Sequence, residues 1–325
     1  MALISCQDIS GQESNKTDNP VPEGIGAPFT PENSAEVAAI WSRTELEFPR
    51  SGYMVGVWDP QRGEIFLSEG KAARNHYYRI GSLTKTLTAV AVLRLAEQGK
   101  LSLDDTIEQY VPGLPNGDEV TLRMMLAMTA GLPNIFADPN LTDAVIADPN
   151  LVWEVADSLA LMKTLPPFTD PGSRYRYDNS NYIALDRVIS EVTNMSSQQA
   201  LTELVVEPAR LRHTQMPTGP AMPQPAIPGT LLIDGKARNV QLQNPQLPAT
   251  AGYGISTIDD MRLWLVALVS GELLSEGSRI AQRPGVNENG VRYGLGIMRF
   301  GNWLGHSGYT WGYANFALMN PETGV

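Results

Sequence analysis

Three short stretches carry residue types that could together run an acyl transfer. In GSLTKTLTAV (81–90), Ser82 and Lys85 stand three residues apart, a spacing that puts both on one helix face. A serine hydroxyl becomes a useful nucleophile when a base takes its proton, and a lysine amine is a base only when neutral. Burial among Leu83, Leu87 and Thr88 would favour that form, because desolvation penalises the charge. In RYRYDNSNY (174–182), the Tyr177 hydroxyl could relay a proton to a leaving group, and the Asn179 amide could hold both a lysine and a substrate carbonyl. In GHSGY (305–309), the small residues beside His306 would let a ligand lie along a strand with a backbone N–H aimed at an oxyanion.

Each stretch is weak alone. Ser68-Glu69-Gly70-Lys71 repeats the Ser-x-x-Lys spacing, Tyr313-Ala314-Asn315 repeats Tyr-x-Asn, and Arg50-Ser51-Gly52 imitates the third pattern but precedes Ser82. Ser82 also has a plain structural reading as the cap of a buried helix, and Tyr177-Asp178-Asn179 one as a packed tyrosine ahead of a helix start. What separates Ser82 from Ser68 is the element beneath it. Leu83, Leu87, Val90, Ala91 and Leu95 recur at helical spacing and Gly99 supplies a stop, which predicts a helix from Ser82 to Gln98. At its N-terminus, unpaired backbone N–H groups favour negative charge beside Ser82.

The other elements follow from periodicity and turn residues. Residues 1–32 read as a disordered tail, and Asn33–Phe48 as an amphipathic helix. Gly52–Trp58 and Glu64–Ser68 read as a hairpin. From about 104 to 245 short helices broken by Pro and Gly take over, among them Leu122–Met128, Leu151–Thr164 and Asn181–Thr193, with a proline-rich loop at Pro217–Pro228. A helix over Ser256–Val269 and strands at Tyr293–Phe300 and Gly312–Met319 follow. The expected fold is therefore α+β. An antiparallel sheet flanked by helices is assembled from 33–103 and 246–325 and carries Ser82 and the His306-Ser307-Gly308 strand; an all-helical insert over 104–245 carries Tyr177-Asp178-Asn179.

Composition bounds the function. A formal charge of −11 argues against nucleic acid or an anionic membrane as partner. No run reaches the ~18–20 apolar residues of a membrane span. A single cysteine, Cys6, excludes a disulfide framework and a multi-cysteine zinc site. His76, His213 and His306 lie far apart, without paired-ligand spacing, so neither a metal nor another cofactor is expected. Leu3-Ile4-Ser5-Cys6 followed by a polar tail is similar to the end of a lipoprotein signal, which makes Cys6 a candidate lipid anchor; the bland reading is a stray cysteine in a disordered terminus.

Taken in order, the three stretches resemble those of the serine beta-lactamase/penicillin-binding superfamily. The branch is that of class C beta-lactamases, D-alanyl-D-alanine carboxypeptidases and esterases, with the beta-lactamase/transpeptidase-like fold. The resemblance runs from about residue 35 to 325 and includes Gly99-Lys100-Leu101-Ser102-Leu103-Asp104-Asp105, Thr129-Ala130-Gly131-Leu132-Pro133, Ile255-Ser256-Thr257-Ile258-Asp259-Asp260 and Tyr293-Gly294-Leu295-Gly296. It implies that Ser82 is acylated, Lys85 activates it and Tyr177 relays the proton. It makes Asn179 a contact for the substrate amide and Lys85, lines the site with His306, Ser307 and Gly308, and forms the oxyanion hole from the backbone N–H groups of Ser82 and Tyr309. It further implies a small-molecule or peptidoglycan-stem-peptide substrate, an extracytoplasmic location, and a further strand and C-terminal helix that this chain is expected to lack.

Departures from the family pattern bear on substrate. Asp178 replaces the usual Ser or Ala, Met128 stands where many relatives have His, and His306 replaces a lysine. His306 supplies no permanent cation at neutral pH, so a substrate carboxylate would need another partner, for which Arg299 is the candidate. The expected activity is that of a D-alanyl-D-alanine carboxypeptidase-like or broad amide/ester hydrolase, ahead of an esterase and a true beta-lactamase. A non-catalytic penicillin-recognising sensor domain is the reading from another class, and the intact Ser82, Lys85, Tyr177 and Asn179 count against it. An alpha/beta-hydrolase would need a histidine after its serine, and none follows His306.

Overall fold

The computed structural model describes residues 51–325 apart from 149, 234 and 285–291, together with Thr30, Ala35 and Ala39. Apart from Thr30, Ala35 and Ala39, the tail expected over 1–32, with Cys6 in it, and the helix expected over 33–48 lie outside the described residues.

In chain order the elements are β1 (Gly52–Asp59), β2 (Gly63–Gly70), β3 (Tyr78–Arg79), α1 (Thr84–Glu97), α2 (Leu122–Leu126), α3 (Pro139–Ala147), α4 (Val155–Thr164), α5 (Asn179–Thr193) and α6 (Ser197–Leu201). There follow β4 (Thr230–Ile233), β5 (Lys236–Asn239), β6 (Ile255–Ser256), α7 (Ile258–Ser270), α8 (Glu276–Gln282), β7 (Met298–Phe300), β8 (Trp303–Thr310) and β9 (Tyr313–Met319). This is the expected mix of helices with antiparallel strands. Among the described residues the strands form separate pieces rather than one sheet: the β1–β2 hairpin, the β3–β6 and β4–β5 pairs, and a β7–β8–β9 meander. Among the described residues β1 pairs with β2 and β9 with β8, and no ladder joins the hairpin to the meander. The segment over 104–245 is not all-helical either. The hairpin β4–β5 lies inside it, where two four-residue runs flank Gly235, whose positive φ of 71° suits a tight connection.

α1 is the centre of the molecule. Leu87, Val90, Ala91, Leu93 and Leu95 are buried in one apolar cluster with Leu122, Met125, Ile183, Leu185, Trp264 and Leu268. Its buried threonines would be costly without partners. Each has one: Thr84 Oγ1 donates to Gly81 O (2.7 Å), Thr86 Oγ1 to Leu83 O (2.6 Å) and Thr88 Oγ1 to Thr250 O (2.8 Å). Trp264 Nε1 donates to Thr86 Oγ1 at 2.7 Å, tying α7 to the same helix. Arg94 and Glu97 sit in its last turn, where Arg94 donates to Leu204 O at 2.6 Å, so Lys85 is the one cation at the buried N-terminal end of the helix among the described residues.

The start of this helix differs from the expected one. Gly81–Leu83 form a 3₁₀ turn, the α-helix begins at Thr84, and neither segment has a side-chain cap. Ser82 is therefore not a capping residue. Its hydroxyl is left to face Lys85.

Candidate active site

Lys85 is fully buried, while Ser82 is half-buried and reachable from outside. Lys85 Nζ lies 2.9 Å from Ser82 Oγ and donates to Asn179 Oδ1 and Ala251 O, both at 2.7 Å. The two carbonyl acceptors take two N–H groups. The remaining tetrahedral position, a third N–H or the lone pair of the neutral amine, points at the serine oxygen. Ser82 and Lys85 are held together by one 3₁₀-to-α transition, and Asn179 arrives from the first turn of α5.

Asp178, not Asn179, caps α5: its Oδ1 accepts the Ser180 N–H at 2.8 Å. That leaves Asn179 free to turn its amide to Lys85. The negative charge expected of Asp178 is moderated, because burial pushes its carboxyl up to about 6 against the pull of Ser180, Arg176 and Lys85. Its Oδ2 is buried with no hydrogen-bond partner among the described residues. Met128 fills the space beside it, with Sδ 3.4 Å from the Asp178 N–H and 3.5 Å from Asn181 Nδ2.

An aromatic wall closes the cluster. Tyr177 lies with its ring centroid 5.0 Å from Lys85 Nζ. It packs edge-on against Tyr293 (6.0 Å) and beside His306 (5.9 Å), while Tyr175 tilts onto the other side of Tyr293 (5.7 Å). The intervening Arg176 lies against Phe168, 3.0 Å from the ring centroid, on the opposite side of this extended segment. Tyr293, which the sequence marks only within Tyr293-Gly294-Leu295-Gly296, places its hydroxyl 3.2 Å from His306 Nε2.

His306 is fully buried on β8. Its Nδ1 is 2.5 Å from Ser307 O; a carbonyl can only accept, so Nδ1 carries the hydrogen and Nε2 accepts from Tyr293. Burial, then the charge of Lys85, depresses the imidazole to about 3, so it is neutral across the working pH range. The strand reaches the serine through two glycines. A Cβ on Gly81 (φ +53°) would lie 2.7 Å from Tyr309 O, and one on Gly308 would lie 2.1 Å from Ile80 O. That close approach sets the Tyr309 backbone beside Gly81 and Ser82, where their N–H groups could share an oxyanion. Ser307 is half-buried, with Oγ 4.0 Å from Met298 Sδ.

Arg299 does not join the cluster. It is exposed on β7, and its Nε donates to Gly301 O of the adjoining turn at 2.9 Å. The decoys also fall elsewhere: Ser68 is on β2, and Asn315 on β9 donates to Arg79 O at 3.2 Å. The rings of His76 and His213 hydrogen-bond to Lys71 O and the Tyr77 hydroxyl, and no metal-binding cluster occurs among the described residues.

This geometry coincides with a family match: the Beta-lactamase family model covers residues 47–325. The chain belongs to the beta-lactamase family. Protein flp of Staphylococcus aureus (strain MW2) is 31% identical over 169 residues, 47% of this chain and 33% of that protein. PbpX of Bacillus subtilis (strain 168) is 31% identical over 232 residues, 67% of this chain and 55% of that protein. The matched segments thus span about a third to about half the length of these curated relatives. A D-stereospecific amidohydrolase from Streptomyces sp. superposes with a TM-score of 0.79 at 27% identity, covering 85% of this chain and 87% of that one. A penicillin binding protein from Bacillus halodurans shares the fold at 22% identity, with a TM-score of 0.73 over 90% of this chain and 91% of the other. Family and fold agree on a domain of the beta-lactamase family.

Proposed function

We propose that the protein hydrolyses amides and esters that lack a terminal carboxylate, with D-configured acyl groups foremost, through an acyl-enzyme on Ser82. The observation that carries this reading is the Lys85 amine, buried and fixed between Asn179 Oδ1 and Ala251 O with its third position on Ser82 Oγ. Lys85 takes the serine proton as Oγ attacks the carbonyl carbon. The Ser82 and Tyr309 N–H groups stabilise the oxyanion. The proton passes by way of the Tyr177 hydroxyl to the leaving nitrogen or oxygen as its bond to the carbonyl carbon breaks. Water then attacks the carbonyl carbon of the Ser82 ester, the bond from that carbon to Oγ breaks, a proton from the water returns to Oγ, and the acid product leaves.

Preference for substrates without a terminal carboxylate follows from the wall opposite the serine. A carboxylate-terminated peptide or a beta-lactam needs a cation there, whereas His306 is neutral and Arg299 is turned into its own hairpin. A D-alanyl-D-alanine carboxypeptidase or beta-lactamase activity therefore ranks below amide and ester hydrolysis. The D-stereospecific amidohydrolase among the solved relatives supports the same order. The reading also places the protein outside the cytoplasm, with Cys6 as a lipid-anchor site, to be checked by fractionating cells that express the full-length protein and a Cys6→Ala variant.

The test is turnover of D-phenylalanine amide, p-nitrophenyl acetate and labelled penicillin by the full-length protein and by Ser82→Ala. Turnover of the amide and ester, lost in the variant, is expected. Stable penicillin labelling of Ser82 without amide or ester turnover would instead mean a penicillin-binding type. No reaction with any of the three would favour a sensor.

A further inference from the structure

The turn that carries Ser82 is held on one side by backbone and on the other by a side chain. On the side of β6, Ile80 donates its N–H to Gly254 O at 3.0 Å, and the Gly254 N–H donates to Thr84 Oγ1 at 3.0 Å. The C=O and N–H of one trans peptide point in opposite directions, so the Arg79 carbonyl faces away from β6, toward β8 and β9. There it accepts from Asn315 Nδ2 at 3.2 Å. Among the described residues this is the one hydrogen bond between residues 79–83 and the β7–β8–β9 meander.

Asn315 is out of keeping with its place in a strand. Asparagine is a poor strand former. Asn315 nevertheless stands on β9, half-buried and directly opposite Gly308 of β8. Its Oδ1 is buried with no hydrogen-bond partner among the described residues, a cost that an alanine or valine there would not carry. The bond from Nδ2 to Arg79 O is what such an apolar side chain could not supply. Gly308 makes the reach possible. A Cβ on Gly308 would overlap both Asn315 Oδ1 and Ile80 O, so the amide lies across bare backbone to meet the serine turn. Next to this contact, Gly81 is pressed against Tyr309: a Cβ there would lie 2.7 Å from Tyr309 O and 2.8 Å from Tyr309 N. The bond is therefore anchored three residues before Ser82 and, across β8, beside Tyr309, the two residues whose N–H groups stabilise the oxyanion in the proposed mechanism.

We propose that Asn315 is a positioning residue for the oxyanion hole: its amide N–H, donated across Gly308 to Arg79 O, sets the separation between the Ser82 and Tyr309 N–H groups. The inference rests on the reading of Ser82 as the acylated nucleophile, and Asn315 acts on that chemistry through backbone position alone.

The test uses two substrates that differ by one atom, p-nitrophenyl acetate and its thionoester, in which sulfur replaces the carbonyl oxygen. Both release p-nitrophenol when Ser82 is acylated. Sulfur is larger and a weaker hydrogen-bond acceptor, so a well-placed hole favours the oxygen ester. The ratio of the two acylation rates therefore reports the geometry of the hole, whatever fraction of the protein is folded. Full-length wild type, Ser82→Ala, Asn315→Leu and Asn315→Ala are compared, with melting curves for each. Asn315→Leu keeps the side-chain volume without the amide and Asn315→Ala removes both, so either folded variant decides. Acylation by the oxygen ester should slow by roughly 10- to 30-fold, less than the ~10²–10³-fold of deleting a hole donor outright. The thionoester should slow by less than about twofold, so that the ratio falls by at least about fivefold. A folded variant that keeps the wild-type ratio overturns the proposal, whether its rates are unchanged or equally reduced on both esters. Failure of both variants to fold overturns it too, because it would assign the amide to the fold rather than to the hole. In either case Ser82-dependent release by wild type leaves the hydrolase reading standing. No Ser82-dependent release from either ester in wild type would overturn that reading and this inference together.

Discussion

The two sides of the cleft are built on opposite electrostatic plans. On the α1–α5 side, Lys85 is buried at the end of a set of directional bonds that includes Ser82, Asn179 and Ala251. On the β8 side, the wall is neutral: His306 is sealed between Tyr293 and Ser307 O, and Arg299 bonds its own turn. The contrast separates two tasks. The first side fixes what the protein can do to a carbonyl, and the second fixes which carbonyl compounds it accepts. Substitutions on the two sides should therefore fail in different ways.

The largest effects belong to the first side. Ser82→Ala should lower turnover of D-phenylalanine amide by at least about 10³-fold, the scale for removing a nucleophile. Lys85→Ala should fall nearly as far, and Lys85→Arg should not restore it, because a guanidinium cannot act as a base at neutral pH. If either lysine variant kept wild-type kcat, the general-base role would be lost.

The second side should respond in selectivity rather than rate. His306→Lys adds a cation to the wall and should raise kcat/KM for an ester with a terminal carboxylate, relative to its amide counterpart, by about tenfold, the scale of one charge-assisted hydrogen bond. An unchanged ratio in a folded variant would mean that the wall does not select on charge. Arg299→Ala should change kcat/KM for either substrate by less than about twofold, as expected of an exposed side chain outside the cleft. A large and selective loss for the carboxylate ester would bring Arg299 back as its partner.

Between these lies a stability prediction for Asp178, which stands where the two sides meet. Burial raises its folded-state value, so its contribution to stability is complete below the unfolded value near ~3.9 and is lost as pH rises through about 6. The wild-type stability minus that of Asp178→Asn, from urea melts, should fall by at most about 3 kcal/mol between pH 4 and 7. A flat difference would mean that the carboxyl is not held against its desolvation.

The sequence made the first side readable because its signals are local. Ser82 and Lys85 share one turn, and Tyr177, Asp178 and Asn179 are consecutive with a helix start. The hairpin β1–β2, α1 and its Gly99 stop, and α7 were legible for the same reason, from alternation, helical spacing and turn residues. What escaped was non-local or masked by a better-known role. Ala251 holds Lys85 by a backbone carbonyl from 166 residues away, and a carbonyl leaves no mark in residue type. Tyr293 was visible only within Tyr-Gly-Leu-Gly, which says nothing of a hydroxyl aimed at His306. Strand alternation around Arg299 left its direction open; a backbone carbonyl, that of Gly301 in the turn ahead of Gly305-His306, decided it. The 3₁₀ turn under Ser82 also differs from the expected helix start, because the close approach of β8 at Gly81 governs the backbone there more than helix propensity does.

The central claim, that the Lys85 side of the cleft acylates Ser82, is tested most directly by intact-protein mass and peptide mapping. The full-length protein would be quenched in acid seconds after mixing with p-nitrophenyl acetate. The account predicts one added acetyl group on the peptide containing Ser82, absent in Ser82→Ala and strongly reduced in Lys85→Ala. An adduct on another residue, or an equal adduct in Ser82→Ala, would contradict it.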